Sequence, residues 1–472
     1  MRSVIDQRLR GQADFLRKQF LQDHALPFGD VLSESTLSRV IATIGDTWVD
    51  RIYTPLVTLW VFLGQVLSAD QSCRAAVARL IAHRVARGQN ACSAETGAYC
   101  QARKRLPEAF FAEAARQTGR SLESQVAPEW LWKNRRVYVY DGSTVQMPDT
   151  PENQAEYPQN TTQKPGLGFP IARLAAIFSL SCGAILDLGI CRYAGKGQSE
   201  LGLLRGMMKI FQHGDVMLGD RLMCAWTEMV MLQQLGVDCV CRLTSHRSFD
   251  FRRGKRLGLH DHIVVWPKPQ KPRTIDRETY ATLPDSLIVR ECRIRVQRPG
   301  FRTKILILAT TLLDPADYSK EDLADLYRTR WNAELDLRSL KQTLQMDYLR
   351  CKTPELVRKE LWTHILAYNL IRTIMAQAAK QHDAPPRQLS FKGAIQTLDA
   401  FQPVIAIRCR NDAKYRQRTY GQILAAIATH RVGDRPDRYE PRHLKRRKKR
   451  YDLLTKPRQT LKAMMARGVI VN

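Results

Sequence analysis

Apolar residues recur at helical spacing through the first 130 or so positions, and four stretches carry capping residues at their ends: Ser33 to Ile44, Pro55 to Leu67, Cys73 to Val85 and Pro107 to Leu122. The second contains the longest apolar run of the chain. Thr54 stands as its N-cap and Pro55 at its first helical position, so it reads as a buried helix, and it is too short to cross a bilayer. Ser93 to Arg105 carries basic and polar side chains at Gln101, Arg103 and Lys104. Two short helices about a turn at Gly88–Asn90 would make a DNA-reading helix-turn-helix; a plain helical bundle also contains such pairs.

The pattern changes near residue 137. Arg136 to Asp141, Ile171 to Leu180 and Ala184 to Tyr193 read as strands, the last two joined hairpin-style at Ser181–Gly183. An amphipathic helix over Ser199 to Gln212 follows, then a short apolar strand, Val216 to Gly219, ending at Asp220. Leu222 to Leu235 reads as a helix and Val237 to Leu243 as a strand. Such an order predicts a mixed α/β sheet with helices on its faces. Residues 244–304 interrupt it with a β-rich insertion, strand-like at His262–Trp266 and Ser286–Val296. Ile305 to Thr311 returns as a strand, Lys320 to Leu344 as one long helix, and Glu355 to Gln381 as a mostly buried helix. Five segments are expected: a helical DNA-binding or dimerisation domain (1–130), the first part of the core (131–243), the insertion (244–304), the second part (305–381) and a C-terminal helical region with a basic tail (382–472).

Charge sharpens this picture. The chain of 472 residues has 74 Lys and Arg against 46 Asp and Glu, a net charge of +28, so a polyanion is the expected partner and nucleic acid the commonest one. Acidic membrane would call for a basic amphipathic helix or a lipid signal, and the sequence offers neither. The charge run Arg442 to Arg450, with Lys445, Arg446 and Arg447 at its centre, suits phosphate contacts or a solvated tail. None of the eleven cysteines forms a C-x-x-C pair; Cys239 and Cys241 share one face of a strand and are expected as buried, reduced thiols, which suits a reducing cytosol. No signal-peptide core follows Met1, so the expected location is the cytoplasm, at the nucleoid.

Candidate chemistry lies at strand ends and on the helix 320–344. With about 100° per residue, Tyr327, Arg330, Glu334, Arg338 and Lys341 fall within about 80° of one another. The stripe holds one acid among three cations, beside an apolar stripe of Leu326, Leu337, Leu340 and Leu344, with Asp336 opposite. A solvated face with a plain Glu334–Arg338 pair has the same pattern. Asp141 and Asp220, however, each close a strand. Three converging carboxylates repel unless cations neutralise them, and hard divalent ions with oxygen ligands do so. Two such ions activate a nucleophile and stabilise the leaving oxygen of a phosphodiester, while Arg330 and Lys341 would hold phosphates. Among rival acids, Asp215 opens its strand, Asp187 is expected exposed in a hairpin and Asp149 lies in a proline-flanked loop.

These residues resemble a known family. Tyr327, Arg330, Glu334 and Lys341, at intervals of two, three and six residues, match the Y-(2)-R-(3)-E-(6)-K signature of the insertion-sequence-four type DDE transposases, and the surrounding LYRTRWNAELDLRSLKQTL is similar throughout. Asp141 in YDGSTV and Asp220 in LGDR resemble the first and second catalytic aspartates. The resemblance implies an RNase H-like core with a β-strand insertion before the glutamate. It also implies magnesium or manganese, two ions per site, on Asp141, Asp220 and Glu334. Double-stranded DNA with terminal inverted repeats is the implied substrate, held in a dimeric synaptic complex, with no membrane partner. Tyr327, Arg330, Lys341, Arg338 and Arg221 would then contact DNA near the cut, and Arg103, Lys104 and the tail would contact it elsewhere. A base-receiving aromatic is implied too; Trp266 and Phe301 are the candidates, each with core packing as its plainer role. A metal-dependent nuclease without strand transfer and a silent, transposase-derived DNA-binding protein share much of this pattern.

Overall fold

The computed structural model describes residues 34–44, 52–86, 88–195, 198–295, 305–408, 413–432 and 454–467. Five helices come first: α1 (Glu34–Ala42), α2 (Pro55–Leu67), α3 (Cys73–Ala86), α4 (Gly97–Arg105) and α5 (Glu108–Ser124). Strand β1 (Val137–Gln146), helix α6 (Pro151–Glu156), strands β2 (Ile171–Ser179) and β3 (Ile185–Arg192), helix α7 (Glu200–Met207) and strand β4 (Val216–Gly219) follow. Next come α8 (Trp226–Gln234), β5 (Asp238–Arg242), β6 (Lys255–Gly258), β7 (Asp261–Pro267), α9 (Arg277–Ala281), β8 (Ser286–Arg295) and β9 (Ile305–Thr310). Helices α10 (Lys320–Thr329), α11 (Trp331–Arg338), α12 (Pro354–Gln381), α13 (Phe391–Arg408), α14 (Ala413–Thr429) and α15 (Arg458–Ala466) complete the chain.

The strands form one nine-stranded sheet, β3-β2-β1-β4-β5-β9-β8-β7-β6. β1 runs parallel to β4 and β4 parallel to β5, while β1 is antiparallel to β2. The order 3-2-1-4-5 of the first five strands is the expected RNase H-like one. All four residues of β4 are buried, as a strand enclosed on both faces requires. The insertion does not stand apart: β9 pairs antiparallel with β5, and β8, β7 and β6 continue outward from it, so the edge of the core becomes interior. Trp266 is packed into this extension, its indole N–H donating to Glu291 Oε1 at 2.9 Å and its ring 3.9 Å beneath the Arg247 guanidinium; it has the core-packing role. Phe301 lies outside the described residues.

The chain divides into two compact units. One comprises Met1–Trp130, Ser181–Leu186 and Asp336–Gly433. Its centre is α12, whose first turn is capped by the Thr353 side chain and whose residues from Leu361 to Ala379 are all buried. Asn369 closes a polar junction there, accepting from Ile185 N at 2.8 Å and donating to Ile185 O and Ala115 O at 2.9 and 3.1 Å. Gly119 permits this approach, since a Cβ on it would lie 2.3 Å from the Ile185 carbonyl oxygen. Buried Lys359 donates to the carbonyls of Arg103 and Lys104, placing a cation at the C-terminus of α4 where the helix dipole favours one. The cap predicted for α2 forms, with Thr54 Oγ1 accepting from Val57 N. α3 closes at Gly88, whose positive φ of 70° lets Gly88 N and Gln89 N bond back to Val85 O and Arg84 O, and residues 89–96 lead from this turn to α4.

The second unit comprises Leu131–Leu180, Asp187–Leu335 and Asp434–Asn472, and it carries the sheet. Two expectations need correction here. β1 does not close at Asp141 but runs on to Gln146, because its far edge pairs with β2 throughout. Asp187 is buried at 2% exposure, with Leu188 N donating to its Oδ1, and is no exposed hairpin acid. The predicted helix 320–344 is also interrupted. α10 ends at Thr329, where Arg330 N bonds to Tyr327 O in a tightened turn, and Ser339–Thr343 widen into a π-helical turn. Cys239 and Cys241 are fully buried free thiols, and burial raises both well above the ordinary thiol range. Among the described residues no helix is long and apolar enough to cross a membrane.

Candidate active site

The register of the central strands builds the site. β1 and β4 pair in parallel from Val137↔Val216 to Val139↔Leu218. Two further residues along each strand bring Asp141 and Asp220 side by side, and period-two alternation puts both carboxyls on the face shared by Val139 and Leu218. Chain turning then fixes Asp220: its Oδ1 accepts from Leu222 N at 2.7 Å and Met223 N at 3.3 Å. Gly219 makes that turn possible, since a Cβ there would lie 2.5 Å from Met223 Cβ.

The third acid arrives on α11. Ser319 and Asp322 form a reciprocal capping box that starts α10, and buried Leu323, Leu326 and Tyr327 seat it. The tightened turn at Arg330 then presents its guanidinium to two carboxylates. Arg330 Nη2 donates to Glu334 Oε1 at 2.8 Å, and Nη1 stands 3.7 Å from Asp141 Oδ2. The alternative reading of a plain Glu334–Arg338 pair does not hold: Glu334 pairs with Arg330, and Arg338 is exposed.

Electrostatics record the convergence. Burial is the main cause that pushes the Asp141 carboxyl up to about 6; the charges of Asp220 and Glu334 add to it, while Arg330 and the Gly142 N–H oppose it. Burial raises the Tyr327 phenol to about 12. Burial works against the charge of Arg330, but its bond to Glu334, with Tyr327 and Asp141, holds it above the usual arginine range.

Other predicted residues fall in different settings. Arg221, beside Asp220, is exposed. Lys341 belongs to the other unit and forms an ion pair with Asp347 at 3.2 Å. Lys104 is exposed, but Arg103 is 5% exposed, with its guanidinium 3.3 and 3.5 Å from the sulfurs of Cys73 and Cys100 and over the rings of Tyr99 and Phe62. A side chain so enclosed cannot reach a phosphate, and its DNA-binding assignment is withdrawn. Lys445, Arg446 and Arg447 lie outside the described residues. Of the rival acids, buried Asp215 receives the Gln212 N–H at 2.7 Å in its turn, and Asp149 pairs with Arg458. Sequence reasoning missed Arg242. It ends β5, and the pairing Gly219↔Cys241 sets it next to Asp220, a register that its own strand does not reveal.

An RNase H-like sheet with acids on two adjacent parallel strands, and a third on a following helix, defines an RNase H-like phosphoryl-transfer enzyme. The family model described as Transposase DDE domain matches residues 132–370, just over half of the chain, and the chain belongs to that family of DDE transposases. It is 27% identical over 386 residues to the transposase InsG for insertion sequence element IS4 of Escherichia coli (strain K12), which covers 79% of this chain and 82% of that protein. A shorter match, 41% identical over 81 residues, links 17% of this chain to 21% of the transposase for insertion sequence element IS421 of Escherichia coli. A cryo-EM structure of the piggyBac transposase synaptic complex with hairpin DNA aligns with 87% of this chain and 85% of that one, at a TM-score of 0.42 and 8% identity.

Membership implies a divalent metal ion. The donor chemistry of Asp141, Asp220 and Glu334 suits one, being all carboxylate oxygen, the set preferred by hard cations. Their charges act on one another at Asp141, although among the described residues no three His, Cys, Asp or Glu side chains are drawn together as a finished ligand cluster. Arg330 supplies the positive charge between two of the acids.

Proposed function

We propose that this transposase cuts DNA at the terminal inverted repeats of an insertion sequence and joins the freed ends to target DNA, with Asp141, Asp220 and Glu334 holding two magnesium or manganese ions. The observation that carries the reading is the strand register that sets Asp141 beside Asp220, with Arg330 linking Asp141 to Glu334. Bound ions would supply charge to activate the attacking oxygen and to stabilise the leaving one. The chain supplies the rest. Strand pairing fixes two carboxylates before substrate arrives, and the α10 capping box sets the angle of the third. Arg330 neutralises the acids and offers a planar fork to a phosphate, which Arg221 and Tyr327 flank. Lys341 joins the phosphate contacts on the strength of its signature spacing, and Lys104 and the basic tail add affinity without reading sequence. The working assembly is a homodimer bridging two DNA ends.

A joining assay tests this reading. Labelled duplex bearing one end of the element is incubated with plasmid and magnesium. Covalent transfer of label to the plasmid is the expected product; nicks without transfer would identify a nuclease instead.

A further inference from the structure

Arg242 sits at the end of β5, and the register Gly219↔Cys241 continues to place it beside Asp220, on the face to which Asp141 also points. It is half-buried, and no described residue forms a hydrogen bond or ion pair with its guanidinium. Arg221 is likewise without an ion pair among the described residues, and Arg330 completes a group of three guanidiniums close enough to repel at Arg242. Burial, followed by Arg221 and Arg330, lowers Arg242 from the usual arginine range, while Tyr327 opposes this. Asp220 and Asp141 share that face, but neither forms an ion pair with Arg242 or Arg221 among the described residues, and a partly desolvated cation facing two others favours a further anion there. The outward side of the acid pair is therefore lined by positive charge that the protein itself leaves unpaired at two positions.

We infer that Arg242 is a positioning residue that, with Arg221, grips a backbone phosphate of the DNA strand next to the one being cut. The inference rests on the transposase reading of the site. A planar fork at a strand end is fixed by the sheet, so it sets strand register relative to Asp220 and does not merely add attraction. A role confined to covering the end of the sheet with its aliphatic stem would need no charge.

The test uses the full-length chain carrying Glu334→Ala, which prevents cutting, and a duplex oligonucleotide bearing the end of the element. Arg242→Gln should lower affinity about 10-fold near 0.1 M salt and reduce the slope of log affinity against log salt by about 1. Arg242→Lys should keep most of the slope while losing part of the affinity. A scan with single neutral methylphosphonates should find one position that weakens the Arg242 protein and leaves Arg242→Gln unchanged. A wild-type slope for Arg242→Gln, or no such position, would overturn the inference. If Arg242→Gln behaves as expected but the chain with Glu334 intact fails to cut with magnesium, the phosphate grip stands and the catalytic reading falls.

Discussion

His364 lies in the middle of α12, fully buried, and neither ring nitrogen has a hydrogen-bond partner among the described residues. Burial depresses its imidazole from 6.5 to about 3, so it is neutral in the folded chain across the physiological range. A group lowered on folding stabilises fully above its unfolded pKa and loses that contribution as pH falls toward the folded value. Between pH 8 and pH 5 the unfolded chain takes up this proton and the folded chain does not. At about 1.4 kcal/mol per pH unit below 6.5, the loss at pH 5 is about 2 kcal/mol. His364→Leu keeps the bulk and removes the titration. It should also gain about 1–3 kcal/mol at pH 8, because it deletes buried polar atoms that bond to nothing described. Urea unfolding followed by circular dichroism at both pH values gives four free energies. The pH 8 to pH 5 drop should shrink by about 2 kcal/mol in the variant, all other titrating groups cancelling in the comparison. An unchanged drop would show that His364 is solvated or paired, and would refute the reasoning.

Three further outcomes follow from the geometry. Gly119→Ala should destabilise by about 1–3 kcal/mol, since its Cβ meets the Ile185 carbonyl, with the loss visible in the same urea unfolding experiment. Arg330→Ala should slow single-turnover cleavage about 100-fold or more while DNA affinity changes far less, and Arg330→Lys should recover little, because one ammonium cannot face both Asp141 and Glu334. Lys104→Ala should flatten the salt dependence of DNA binding, whereas Arg103→Met should lower the melting temperature and leave that dependence unchanged; a reversal would restore Arg103 as a DNA contact.

Where the determinants were local, they could be read directly from the chain. Thr54–Pro55 announces its helix start, and the run Val216–Gly219 between turn residues leaves little but a central strand. The three acids were legible because two follow apolar strand text and the third sits in a spaced signature. What escaped depends on distant partners. Nothing near Asp141 signals that β2 will pair with β1 for five residues beyond it. Arg103 carries the same charge as Lys104 next to it, and it is enclosed only because Cys73 and Phe62 of other helices close over it beside Tyr99 and Cys100 of its own. A uniform 100° rotation kept Tyr327, Arg330 and Glu334 on one face, but it could not anticipate the tightened turn at Arg330, nor that Asp336 would be buried between Arg372 and Arg387. Arg242 was hidden because its meaning lies in a register with Asp220, and register is a property of two strands.

The central claim is that Glu334 belongs with Asp141 and Asp220 in one metal-dependent centre. Labelled DNA carrying the element's own ends, incubated with magnesium, should be cut and joined by the wild-type chain. Glu334→Ala should bind the same DNA with comparable affinity and do neither. A Glu334→Ala protein that cuts as fast as wild type would remove Glu334 from the centre and contradict the account.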